Sequence, residues 1–180
     1  MIETIVGKEG FKKGIAKYFE LFDGQAITTE DFVAAMEQAN DVDLTQFKNW
    51  YDQAGTPEIT IETHYNQKAK TYQVVLKQFT PPTPESNEKK PFHIPFEMGL
   101  ISASGQELEL KPIKEKTKYT KVKNNGIILE LTDAAHEVVF SDIESEPTPS
   151  FLREFSSPVK IKYNYSKPVS YTHLTLPTKA

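Results

Sequence analysis

The chain predicts an α+β protein: a short helical segment followed by an antiparallel β-sandwich. Before Pro57, apolar residues recur every three or four positions, as a helix requires. After Pro57 they recur at every second position, as a strand requires. Gly55-Thr56-Pro57 stands at the change and stops any helix that reaches it.

In the first helix, Phe11, Ile15, Tyr18, Phe19 and Phe22 fall on one face, and Gly24 supplies the left-handed turn that ends it. Met1 to Val6 reads as the end of a helix already under way, because no cap precedes it. Thr28 and Thr29 are candidate N-caps for a second helix, with Glu30 and Asp31 in its first turn and Phe32, Val33, Met36 and Ala39 on its inner stripe. Asp43 with Gln46 reads as a third cap, opening a short helix with Leu44, Phe47, Trp50 and Tyr51 facing inward. Trp50 is expected to anchor the helices against the first strand of the sandwich. Three helices are too few to bury such faces alone, so this part reads as cut from something larger.

Ile59, Ile61, Thr63 and Tyr65 alternate, and Tyr72, Val74 and Leu76 do so again after a turn over Asn66 to Lys70. The clearest strand carries Phe92, Ile94, Phe96, Met98 and Leu100. Pro95 lies inside it and cannot donate to a ladder, so an edge or a bulge is expected there. Ser104-Gly105 and Asn124-Asn125-Gly126 read as hairpin turns, with strands around Leu108 to Leu110, Ile127 to Leu131, Val138 to Phe140 and Val159 to Tyr165. Many short strands joined by turns argue for a sandwich. Pro81 to Pro91 is a surface loop.

The 180 residues are 38% hydrophobic and 26% charged, the balance of a globular protein. No apolar run approaches the roughly 20 residues of a membrane helix. Met1 to Lys13 does not have the pattern of a signal peptide. Cysteine is absent, which suits a reducing cytoplasm and excludes disulfides and thiolate chemistry. The net charge of −4, with scattered basic residues, leaves no footprint for nucleic acid. The lysine-rich stretch from Lys111 to Lys123 reads as a solvated strand edge or loop.

Motifs that imitate chemistry do not hold up. His64, His93, His136 and His173 have no metal-binding spacing among them. His136-Glu137-Val138-Val139-Phe140 begins like His-Glu-x-x-His, but Phe140 takes the second ligand position and the flanks alternate like a strand. Ala34-Ala35-Met36-Glu37 sits in mid-helix with Met36 on the core stripe, so it reads as packing. Asp41, Asp43 and Asp52 lack the glycine and final glutamate of a calcium loop and read as caps and solvated charges. No catalytic, substrate-binding or metal-ligating residue is assigned in this chain.

A resemblance goes further than these patterns. Gly10-Phe11-Lys12-Lys13-Gly14, Tyr18-Phe19-Glu20, the run from Asp23 to Val33, Ala35-Met36-Glu37, Val42-Asp43-Leu44, Phe47, Trp50-Tyr51 and Gln53-Ala54-Gly55-Thr56-Pro57 resemble the bacterial aminopeptidase N (alanyl aminopeptidase) family. The similarity continues through Pro81 to Pro84, His93-Ile94-Pro95-Phe96, Phe155-Ser156-Ser157-Pro158-Val159-Lys160 and Tyr163-Asn164-Tyr165-Ser166. It implies that residues 1–57 are the last helices of a thermolysin-like catalytic domain and that 58–166 are the β-sandwich linking it to a C-terminal helical domain. From Lys167 the resemblance stops, and Pro168 and Pro177 make 167–180 a poor helix, expected to be a non-native or disordered tail.

The family implies a cytoplasmic, gluzincin-class zinc metalloprotease that removes N-terminal residues from peptides, with alanine and basic residues preferred. A zinc-polarised water would attack the carbonyl, with glutamate as base. Carried over residue by residue, none of that machinery has a counterpart here. The segment is therefore expected to be structural and inactive alone, packing in the intact enzyme against the catalytic and C-terminal domains. The alternative is a stand-alone, non-catalytic β-sandwich interaction module.

Overall fold

A computed structural model describes residues 1–84, 86–115, 117–122 and 125–164, with the side chains of Lys114 and Glu115 excepted. The expected tail at 167–180, His173 within it, and the turn residue Asn124 lie outside the described residues.

Helix α1 (Ile2–Phe22) is broken at Gly7, whose φ of 75° and ψ of 165° are not helical. Met1 to Val6 is thus set apart from the rest of α1 as a short piece of its own. Gly24 adopts φ 73° just past α1. Helix α2 (Thr29–Asn40) starts with a capping box: the Asp31 amide donates to the Thr28 hydroxyl, and the Thr28 amide donates to the Asp31 carboxylate. Met36 is fully buried against Gly14, whose missing side chain lets α1 and α2 approach. A 3-10 turn (Gln46–Lys48) runs into the single-turn helix α3 (Asn49–Asp52).

The inner faces differ in two places from the sequence reading. Phe19 is 57% exposed and Tyr51 45% exposed. Period fixes which side of a helix is apolar, not how far it is covered: Phe19 meets Tyr18 and Tyr51 meets Phe47, and both keep much of their surface exposed.

The sandwich comprises β1 (Glu58–Asn66), β2 (Thr71–Phe79), β3 (Ile94–Ile101), β4 (Glu107–Leu108), β5 (Pro112–Glu115), β6 (Tyr119–Lys121), β7 (Ile127–Leu131), β8 (Ala135–Phe140), β9 (Thr148–Phe151) and β10 (Lys160–Lys162). One sheet runs β10-β1-β2-β8-β5, and the other runs β4-β3-β7-β6 with β9 also on β3. All pairs are antiparallel except β1 with β10. Phe92, Phe96, Met98, Leu129, Val74, Leu76 and Phe140 fill the space between the sheets.

The sequence reading missed the short strands β5, β6 and β9. The lysine-rich stretch does lie at strand edges: β5 and β6 end their respective sheets. Pro95 pairs only with Glu130 of β7, because β9 joins β3 from Met98 onward, so it has an edge environment. Strand β7 is buried at every position instead of at alternate ones. Its second face turns toward the helices, which touch it through α1.

Candidate functional site

The most organised polar constellation lies where the helical segment meets the sandwich. Gln46, Asn49, Trp50 and Gln53 are spaced at i, i+3, i+4 and i+7, so the 3-10 turn and α3 put them on one stripe. That stripe lies along the extended backbone leading into β3. Gln46 Nε2 donates to the carbonyls of Pro91 at 3.1 Å and Thr132 at 2.6 Å. Asn49 Nδ2 donates to Pro91 at 3.0 Å, and the Trp50 indole donates to His93 at 2.9 Å. Gln53 makes a reciprocal pair with Lys90, donating to its carbonyl at 3.0 Å and accepting its amide at 2.8 Å.

This arrangement corrects one expectation and locates the anchor named in another. Gln46 is not the partner of a capping box; its amide spans to the sandwich, and Asp43 alone accepts from the Thr45 amide at 2.8 Å. Trp50 packs against Phe92, ring centroids 4.4 Å apart, on the segment leading into β3, and against the sandwich core.

Beneath the stripe, His93 Nε2 lies 3.0 Å from Glu130 Oε2, and Lys118 Nζ lies 2.9 Å from Glu130 Oε1. Phe47 meets the His93 ring edge-on at 6.3 Å. Burial pushes the Glu130 carboxyl upward, but the hydrogen bonds from His93 and Lys118 and their charges outweigh it and hold the group below the usual carboxylate range. His136, on β8, is buried too: Thr117 Oγ1 lies 2.9 Å from Nδ1, and Nε2 accepts the amides of Thr132 and Asp133 at 2.9 and 2.8 Å. Burial lowers its affinity for a proton, with the Asp133 charge opposing.

Chemically, the constellation holds two segments together. Among the described residues, no group of three or more His, Asp or Glu side chains is disposed to hold a metal ion. Both ring nitrogens of His136 are taken, His93 is engaged by Glu130, and His64 stands exposed on β1. The described residues therefore do not fit the zinc that the resemblance implies. His136 to Phe140 is a strand, and Ala34 to Glu37 is mid-helix packing, where Glu37 accepts the Leu44 amide at 2.8 Å. Asp41 caps α2 in the left-handed conformation, and Asp52 is exposed. An open groove between α3 and the surface loop is lined by Trp50, Tyr51, Gln53, Ser86 and Lys90.

Comparison with known proteins matches residues 55–164 to the domain of unknown function DUF3458, described as having an Ig-like fold, and residues 1–51 to the peptidase family M1 domain. Aminopeptidase N of Escherichia coli (strain K12) is 42% identical over 92% of this chain and 18% of its own length. Aminopeptidase N of Haemophilus influenzae is 40% identical over 92% and 18%, and that of Caulobacter vibrioides 38% over 89% and 17%. The crystal structure of Legionella pneumophila aminopeptidase A in complex with aspartic acid superposes with a TM-score of 0.74 at 30% identity, covering 91% of this chain and 17% of that one. The chain thus spans less than a fifth of the relatives it matches.

Proposed function

This chain belongs to the aminopeptidase N family, and from that premise we propose that it is the structural joint of a zinc-dependent aminopeptidase. Residues 1–57 close the catalytic domain, and residues 58–166 form the linking β-sandwich. The intact enzyme removes N-terminal residues from peptides, alanine and basic ones by preference. The zinc ligands, the general base and the amine-binding loop lie outside these residues, so the segment contributes no catalytic, substrate-binding or metal-binding group. A cytoplasmic location accords with a chain free of cysteine.

The observation that carries this reading is the match at 42% identity, continuous across the helix-to-sandwich boundary. The polar stripe from Gln46 to Gln53 supports the structural role, because it spends every donor on holding the two parts in register. A stand-alone module is the weaker reading, since exposed Phe19, Leu21 and Tyr51 leave the helices with uncovered apolar surface.

Sequencing of the source DNA through both ends of this frame tests the proposal. In-frame codons for His-Glu-x-x-His and a following glutamate upstream are expected. A promoter and ribosome site directly before Met1 would sink it and leave the module reading in its place.

A further inference from the structure

The turn after β9 holds three residues in the left-handed region where side chains other than glycine are strained: Leu152 at φ 50°, Glu154 at 53° and Phe155 at 51°. This is no loose tip. On its first flank the Arg153 guanidinium lies directly over Gly99, in space that a side chain there would fill, and pairs with Glu107 at 3.0 Å. On its second flank Ser156 is buried, and its hydroxyl accepts the Glu97 amide at 3.0 Å. Phe151 packs against Phe96 and Tyr163 immediately before it. Between those fixed points Phe155 is 97% exposed. A strained backbone pinned on both sides therefore holds one aromatic ring in water, where it gains nothing from the described residues.

We infer that Phe155 is a docking knob: its ring seats in an apolar, ring-sized pocket with a basic rim, on the part of the intact polypeptide outside these 180 residues. Rigid aromatic anchors of this kind concentrate contact energy because little entropy is lost on seating them. The chain spans 18% of the length of its aminopeptidase N relatives, so most of the polypeptide is available to supply the pocket. Glu154 adjoins Phe155 in the chain and acts on Glu97, whose carboxyl is raised by burial together with the Glu154 charge, opposed by Arg153. Two carboxylates side by side favour a partner surface that brings lysine or arginine.

The inference rests on the reading of this chain as part of a longer aminopeptidase. Its test uses the intact protein carrying Phe155→Cys, labelled with a maleimide and read by peptide mass spectrometry against free N-acetylcysteine. Docking predicts labelling at position 155 at least about tenfold slower than the free thiol, because a buried position reacts only through local opening. Labelling as fast as the free thiol overturns it. Phe155→Gly gives a second reading, since glycine relieves the positive φ without cost. A seated ring makes that variant melt several degrees lower, whereas an exposed ring makes it melt unchanged or higher. Alanine release by the same preparations separates the two ideas. Protection of position 155 without aminopeptidase activity ends the enzymatic reading alone, and activity with an unprotected position 155 ends the docking reading alone.

Discussion

The indole of Trp50 donates to the carbonyl of His93 at 2.9 Å while its ring packs on Phe92 at 4.4 Å, so one side chain touches the cores of both the helical segment and the sandwich. Trp50→Ala removes both contacts. A loss of about 3–5 kcal/mol in denaturant unfolding is expected, the range for truncating a large aromatic core residue. Trp50→Phe keeps a ring but strands the carbonyl, at about 1–3 kcal/mol. Unchanged unfolding of Trp50→Ala with lost turnover in the intact enzyme would contradict the structural assignment.

Glu130 sets an acid limit on stability. Its folded carboxyl titrates below its unfolded value, so its contribution is full above the unfolded value of about 4.3 and is lost as pH falls through the folded one. A stability profile should therefore decline on that acid limb, and Glu130→Gln should flatten it while lowering stability near neutrality. A variant with the same acid limb as the parent would rule Glu130 out as its source.

His136 acts higher on the pH scale. Burial depresses its folded value, so stability is full above the unfolded value of about 6.5 and declines as pH falls from there through the folded value. His136→Ala leaves the amides of Thr132 and Asp133 without their acceptor. A cost of about 1–3 kcal/mol follows from the desolvated donors, read at pH 8 by denaturant unfolding.

Gly14→Ala tests the contact between α1 and α2. The added methyl meets the sulfur of fully buried Met36, and overpacking of this kind costs about 1–3 kcal/mol. Helix propensity returns about 1 kcal/mol of it. Pairing the change with Met36→Ala should cost less than the two single effects summed, because the smaller residue makes room.

Period and turn chemistry made most of the fold legible. The Thr28 cap, the hairpins at Ser104-Gly105 and Asn125-Gly126, and the longer strands all follow from local signals that the structure keeps. The polar joint did not follow. Gln46 has the spacing of a capping partner, and its true acceptors, Pro91 and Thr132, are 45 and 86 residues away, where no local rule reaches. Strands β5, β6 and β9 have three or four residues each, too few for alternation to register. His93, just before β3, and Glu130, within β7, are buried because the helices cover a face that the pattern alone assigns to water.

Whether the catalytic centre lies outside these residues is tested by an alanine-release assay on the purified 180-residue chain supplied with zinc, beside the intact protein. Turnover by the intact protein is expected, abolished by a chelator and restored by zinc, with no release above background by the chain. Zinc-dependent release by the chain itself would contradict that placement, because a catalytic centre would then lie within these residues.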